Sequence, residues 1–201
     1  MLKIIPLTLL ITGCVANGYP SYKYDLVSDN VIENTEKIFI GLPVFLSIEG
    51  SSARYNEDWI ITAGHNYHIN RNMIKHPKCD IALIKDRGEN IIKKGFLYHT
   101  EKTFLLGYPM ASPLAVHNGK HLIDFKGSDG CIYSAVTGSI IGGMSGGGVY
   151  NNKEELVGIN IGYTDVILPS GLTMKNTTTI ITFPAIKNWL LAVTGEYIKQ
   201  E

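Results

Sequence analysis

From Lys37 onward the chain breaks into short runs rich in Ile, Val, Leu, Phe, Tyr and Thr, a texture that excludes a fold of long helices. Ile38 to Ile48, Trp59 to Ala63, Asp80 to Ile84, Phe104 to Gly107, Leu122 to Phe125, Ile132 to Thr137, Leu156 to Ile161 and Thr177 to Phe183 read as strands. Turn chemistry separates them at Gly50-Ser51-Ser52, Asp86-Arg87-Gly88, Asn118-Gly119, Asp129-Gly130, Asn151-Asn152 and Pro169-Ser170-Gly171. Many short strands at close spacing predict an all-β sandwich or barrel. Only the C-terminus has a helical period: Pro184 suits a first turn, and Ile186, Trp189, Leu190 and Val193 recur at i, i+3, i+4, i+7.

Chemistry concentrates at Ser145, inside Gly142-Gly143-Met144-Ser145-Gly146-Gly147-Gly148. Glycines let the backbone turn tightly and bring its N–H groups close to a substrate. A nucleophilic serine with a main-chain oxyanion hole needs both. Such a serine also needs a base, and the base needs a carboxylate to fix its tautomer. His65 closes Trp59-Ile60-Ile61-Thr62-Ala63-Gly64-His65, and Asp80 opens Asp80-Ile81-Ala82-Leu83-Ile84. Asp58 and Asp86 are the alternative acids, and Gly143 and Ser145 are the expected oxyanion donors through their main chain. His68, His76, His99, His117 and His121 read as surface side chains, and no ligand cluster calls for a metal or other cofactor.

Thr62-Ala63-Gly64-His65, Asp80-Ile81-Ala82-Leu83 and Gly143-Met144-Ser145-Gly146-Gly147 resemble, in that order, the T-A-x-H, D-I-A-L and G-x-S-G-G segments of trypsin-like (chymotrypsin-fold) serine proteases. Leu106-Gly107-Tyr108-Pro109 and Val157-Gly158-Ile159-Asn160 are similar to the bacterial HtrA-like branch, here with no PDZ domain expected. The resemblance covers roughly residues 36 to 185. It implies two antiparallel β-barrels with the triad in the cleft between them, a C-terminal helix, and peptide-bond hydrolysis of protein or peptide substrates without a cofactor. It places the substrate pocket at Ser139, Gly158, Ile159 and Asn160. Ser139 brings no negative charge, so a P1 preference for Arg or Lys is not expected.

The chain departs from that pattern in places. Only 15 residues separate His65 from Asp80, so the first barrel must have trimmed loops. Met144 stands where a polar residue is common and cannot take a salt bridge from a new N-terminus. Gly148 stands where proline is usual. Two rivals follow. An α/β-hydrolase esterase also uses G-x-S-x-G, but it needs a histidine after the serine, and none follows Ser145. A catalytically silent, protease-like binder of an envelope or surface partner is the alternative outside enzymes.

The N-terminus reads as an export signal: Lys3 precedes the apolar stretch Ile4 to Ile11. That stretch is too short for a bilayer, which takes about 20 residues of helix. Leu10-Ile11-Thr12-Gly13-Cys14 resembles a bacterial lipobox, which implies cleavage before Cys14, a diacylglycerol on its thiol with palmitate among the acyl chains, and a lipid-anchored envelope protein. Cleavage after Ala16 and soluble export is the alternative. The expected organisation is a signal peptide at 1–13, a membrane-proximal linker at 14–35, and a protease domain at 36–201 divided into barrels at about 36–112 and 113–201. Export permits a Cys79–Cys131 disulfide, worth roughly 4 kcal/mol for its loop; two buried thiols are the alternative. The 18 basic and 18 acidic side chains cancel and form no basic run, so nucleic acid is not an expected partner.

Overall fold

Period-two burial sorts the strand residues into distinct cores. In a computed structural model describing residues 16–42, 46–89, 92–168 and 170–197, the chain is mostly β. The expected signal peptide and Cys14 lie outside the described residues. The first sheet holds β1 (Thr35–Leu42), β2 (Leu46–Asn56), β3 (Trp59–Thr62), β4 (Ile74–Lys75) and β5 (Ala82–Lys85), in the order β1-β2-β3-β5-β4. The second is a closed barrel of β6 (Lys102–Gly107), β7 (Ala115–Lys126), β8 (Ile132–Val136), β9 (Gly148–Tyr150), β10 (Leu156–Ile167) and β11 (Thr173–Thr182), with every pairing antiparallel.

Leu105, Val136, Val149, Val157 and Ile180, from different barrel strands, cluster as one buried core. Their neighbours in sequence, Phe104, Leu106, Tyr150, Leu156 and Ile181, face the opposite way, as alternation along a strand requires, and Ile159, beyond a bulge in β10, joins them. They pack against Ala53, Tyr55, Ile61, Ile81 and Leu83 of the first sheet and so weld the two lobes together. The helix α2 (Phe183–Thr194) forms where the period predicts it, with Pro184 in its first turn and Gly195 ending it at φ 73°. Ile186 and Leu190 are buried, Trp189 and Val193 lie against the same core, and Phe183 meets Tyr55 edge to face at 5.4 Å. Burying each of these apolar side chains contributes roughly 2 kcal/mol.

Three features differ from the sequence reading. The described part of the expected 14–35 linker, residues 16–35, is not free: Tyr22 bridges Val116, the Tyr24 hydroxyl donates to Leu114 O at 2.8 Å, and α1 (Asp29–Glu33) buries Val31 completely. It has no period because it clings to the barrel largely through backbone and isolated side-chain bonds. The barrel boundary expected near residue 112 falls instead between Lys85 and Lys102, since β6 pairs with β7 and β9. Finally, Gly50-Ser51-Ser52 and Asn118-Gly119 lie inside β2 and β7 rather than in turns. Gly119 is needed there because the Thr137 carbonyl passes where a Cβ would sit.

Candidate active site

Strand pairing brings the first two functional side chains together. Thr62, the last residue of β3, pairs with Ala82, the first of β5. His65 just beyond β3 and Asp80 just before β5 therefore emerge side by side. Asp80 grips the histidine twice: Oδ1 accepts from the His65 main-chain N–H at 2.7 Å, and Oδ2 lies 2.6 Å from Nδ1. A carboxylate only accepts, so the proton belongs on Nδ1 and Nε2 is free to act as a base. The alternative acids are engaged elsewhere: Asp58 pairs with Arg87, and Asp86 with Arg54, which also holds Glu36.

Ser145 sits where the lobes meet, and its carbonyl joins them. That oxygen accepts from Ser51 N in β2 and from Asn66 Nδ2, both at 3.0 Å. Asn66 follows His65, is buried, and also donates to Thr62 Oγ1 at 2.9 Å. The turn carrying His65 is thus hydrogen-bonded directly to the loop carrying the Ser145 hydroxyl. Sequence reasoning missed Asn66 and Ser51: the signal for Asn66 was its place next to His65, while Ser51 stood only in an expected turn. On the barrel side, Gly146 N donates to Asn160 O at 2.7 Å and Asn160 N to Gly147 O at 2.9 Å.

The loop is shaped by backbone that other residues rarely adopt: Gly143 has φ 100° and Gly146 φ 91°. Among the described residues, neither Gly143 N nor Ser145 N donates to a protein acceptor, so both N–H groups stay available for a ligand oxygen. The Ser145 hydroxyl donates to Ile161 O at 2.9 Å rather than to His65. That carbonyl is free because the β10–β11 register skips Ile161 between Asn160 and Gly162.

His65 and Ser145 line one cleft of about 410 Å³ together with Ile140–Gly143 and Ile161–Tyr163. None of the residues expected to form the substrate pocket, Ser139, Gly158, Ile159 and Asn160, lines this cleft. Gly158, Ile159 and Asn160 are wholly inside the barrel pairing, and Asn160 Nδ2 donates to Leu106 O at 2.8 Å. Ser139 is pressed against Gly18 instead of the cleft. A second cavity of about 320 Å³ lies across residues 161–164 and includes Asp80, Phe125, Asp129 and Tyr133. The Tyr133 hydroxyl donates to Asp129 Oδ2 at 2.5 Å, which holds the Asp129 carboxyl below its usual range.

Cys79 and Cys131 form a disulfide with their Cα atoms 5.5 Å apart. It ties the residue next to Asp80 to the β7–β8 turn of the barrel. His76 lies within 4.8 Å of both sulfurs, but the bond leaves no thiolate for a metal, and His76 Nδ1 already accepts from Cys79 N at 2.9 Å. Two of the histidines read as surface are not: His117 and His121 are buried at 7% and 6% exposure, on strand positions that face inward. Met144 is also fully buried, packed with Ala115, Ile140 and Ile141.

No protein-family model and no curated protein matches the chain. Solved structures do. The chain is similar to the Rv3671c protease from M. tuberculosis in its active form, with TM-score 0.66 and 16% identity over 90% of this chain and 91% of that one. It is similar to the HtrA-type protease AlgW, in a variant with a bound tripeptide, at TM-score 0.61 and 16% identity; 85% of this chain is covered, but only 65% of that one. The MamO protease domain from Magnetospirillum magneticum gives TM-score 0.58 and 18% identity over 80% and 97%. The chain therefore has the chymotrypsin-like two-barrel fold of the trypsin-like, HtrA-type protease domains.

Proposed function

We propose that this chain is a serine endopeptidase. The carrying observation is the Asp80-oriented imidazole of His65 in the same cleft as Ser145, beside two unoccupied main-chain N–H donors. In the reaction the Ser145 hydroxyl leaves Ile161 O by rotation about Cα–Cβ and gives its proton to His65 Nε2 as Oγ attacks the scissile carbonyl. Gly143 N and Ser145 N receive the oxyanion. The tetrahedral species collapses, the amine departs with the proton from Nε2, and an acyl ester remains on Oγ. Water, deprotonated by His65, then hydrolyses that ester.

The cleft wall of Ile140, Ile141 and Tyr163 carries no acidic group, which supports small or apolar P1 side chains. Beyond Asn160 the β9 side of β10 has no strand partner among the described residues, leaving an edge that an extended peptide can join. Cys14 carries the lipid that holds the domain at a bacterial envelope membrane.

The parked Ser145 hydroxyl favours a second reading, a silent binder of the same fold. Fluorophosphonate labelling separates the two. The protease reading expects wild-type protein to label and Ser145→Ala not to; equal resistance of both selects the binder. Sequencing the new termini made in a proteome digest then reads P1, and cleavage after basic residues would overturn the apolar pocket. Metabolic labelling with palmitate, lost in Cys14→Ser, tests the anchor.

A further inference from the structure

Residues 16–18 run antiparallel to 139–141, the stretch that leads into the nucleophile loop. Ala16 bridges Ile141 and packs against the cluster containing Ile140 and Met144. Asn17 takes both main-chain groups of Ile140: its own N–H donates to Ile140 O at 3.2 Å, and its Oδ1 accepts from Ile140 N at 2.6 Å. The Asn17 Nδ2 donates to Thr178 Oγ1 at 2.8 Å and to Asn176 O at 2.9 Å, both on β11. Thr178 Oγ1 in turn donates to Gly138 O at 2.7 Å. One side chain thus rivets the entrance of the loop to the barrel. The far side is held by Met110 N on Gly142 O and Ser51 Oγ on Gly143 O, both at 2.8 Å.

We propose that Asn17 is a positioning residue for the hydrolysis: it fixes Ile140–Gly143 so that the N–H groups of Gly143 and Ser145 stay aimed at the reacting oxygen. The proposal rests on the protease reading. Its physical basis is entropy. Gly142, Gly143, Gly146, Gly147 and Gly148 leave the loop with more backbone freedom than any other stretch of its length here. Oxyanion donors accelerate a reaction only when they are already oriented. A glycine-rich loop cannot orient itself through its own side chains, so the restraint must come from outside, and Asn17 supplies it at the loop's entrance. The segment that would carry the anchor therefore also completes the catalytic loop.

The test compares full-length wild-type protein with Asn17→Ala and Asn17→Asp in detergent, using N-acetyl-leucine 4-nitrophenyl ester as substrate. A leucine-ending peptide aldehyde, whose adduct places an oxyanion on the loop donors, is the inhibitor. Asn17→Ala is expected to lower kcat at least about tenfold with KM changed less than about threefold, and to weaken the aldehyde by the same factor as kcat. Asn17→Asp keeps the acceptor for Ile140 N and is expected to recover part of the loss. Should Asn17→Ala fail to fold, Asn17→Asp and Thr178→Val are judged on the same readouts. A wild-type chain that labels with fluorophosphonate while Asn17→Ala matches its kcat and aldehyde affinity overturns the clamp alone. So does a kcat loss without aldehyde weakening, or a loss confined to KM. A wild-type chain inert to fluorophosphonate overturns the protease reading, and the clamp with it.

Discussion

Asp80→Asn separates orientation from mere presence at the site. The main-chain N–H of His65 donates to Oδ1 at 2.7 Å, and a main-chain N–H can only donate. In the asparagine variant the amide oxygen must therefore stay on that N–H, which turns the NH2 group toward Nδ1, now 2.6 Å from Oδ2. An amide NH2 donates, so Nδ1 becomes the acceptor and the ring proton moves to Nε2. A protonated Nε2 cannot take the Ser145 proton. In enzymes with this triad the wrong tautomer costs about 10⁴ in kcat, or about 5.5 kcal/mol of transition-state stabilisation. Here the two side chains are 48% and 30% exposed, so water competes for the ring and a loss of about 10³–10⁴ is expected. The assay is kcat on a 4-nitrophenyl ester, paired with ¹⁵N NMR of the His65 ring to read the tautomer. The isosteric change should leave thermal stability nearly unaltered. A variant that keeps kcat within about tenfold of wild type, or retains the proton on Nδ1, refutes the reasoning.

Removing the Cys79–Cys131 bond with paired serines opens a loop of 52 residues and is expected to cost about 4 kcal/mol, read as a drop in Tm of about 10 °C. An unchanged Tm would show that the fold needs no covalent staple. Burial pushes Tyr150 up to about 12, against about 10 for an unfolded tyrosine, and raises Tyr55 as well. The unfolded chain loses its proton first as pH rises, so stability is whole below pH 10 and should drain by roughly 2–3 kcal/mol through pH 12. Tyr150→Phe should flatten that limb in urea melts; an identical limb in both proteins would point elsewhere. Burial pushes His117 down, and its Nε2 has no partner among the described residues. The unfolded state binds that proton first, so stability should fall as pH drops below about 6.5, with His117→Leu less sensitive. Equal acid sensitivity in both would remove His117 from the account.

Much of the fold was legible because it is local. β-branched runs broken by turn residues specify strands, and the period from Ile186 to Val193 specifies α2. His65, Asp80 and Ser145 were legible as candidates from short local motifs, and the structure places His65 against Asp80 and in one cleft with Ser145. The pocket was harder to read. Its wall at Ile161–Tyr163 depends on a bulge that skips one residue of β10, and a one-residue shift exchanges inward and outward faces. The docked segment at 16–34 was illegible for a related reason: its partners, Ile140, Val116, Leu114 and Thr178, are remote in sequence. Backbone hydrogen bonds leave no side-chain period to find.

The sequence by itself determined that the chain would be built from short strands, end in an amphipathic helix, and carry a serine on a glycine hinge with a histidine and an acid upstream. Those properties follow from propensity and steric tolerance, which act over a few residues. Only the tertiary structure decided that Asp80 rather than Asp58 or Asp86 holds His65, that Asn66 ties the turn carrying His65 to the loop carrying Ser145, and that Asn17 bonds to Ile140 ahead of that loop. Each is a choice among equivalent hydrogen-bonding groups. It is settled by which of them the two lobes bring within about 3 Å of one another.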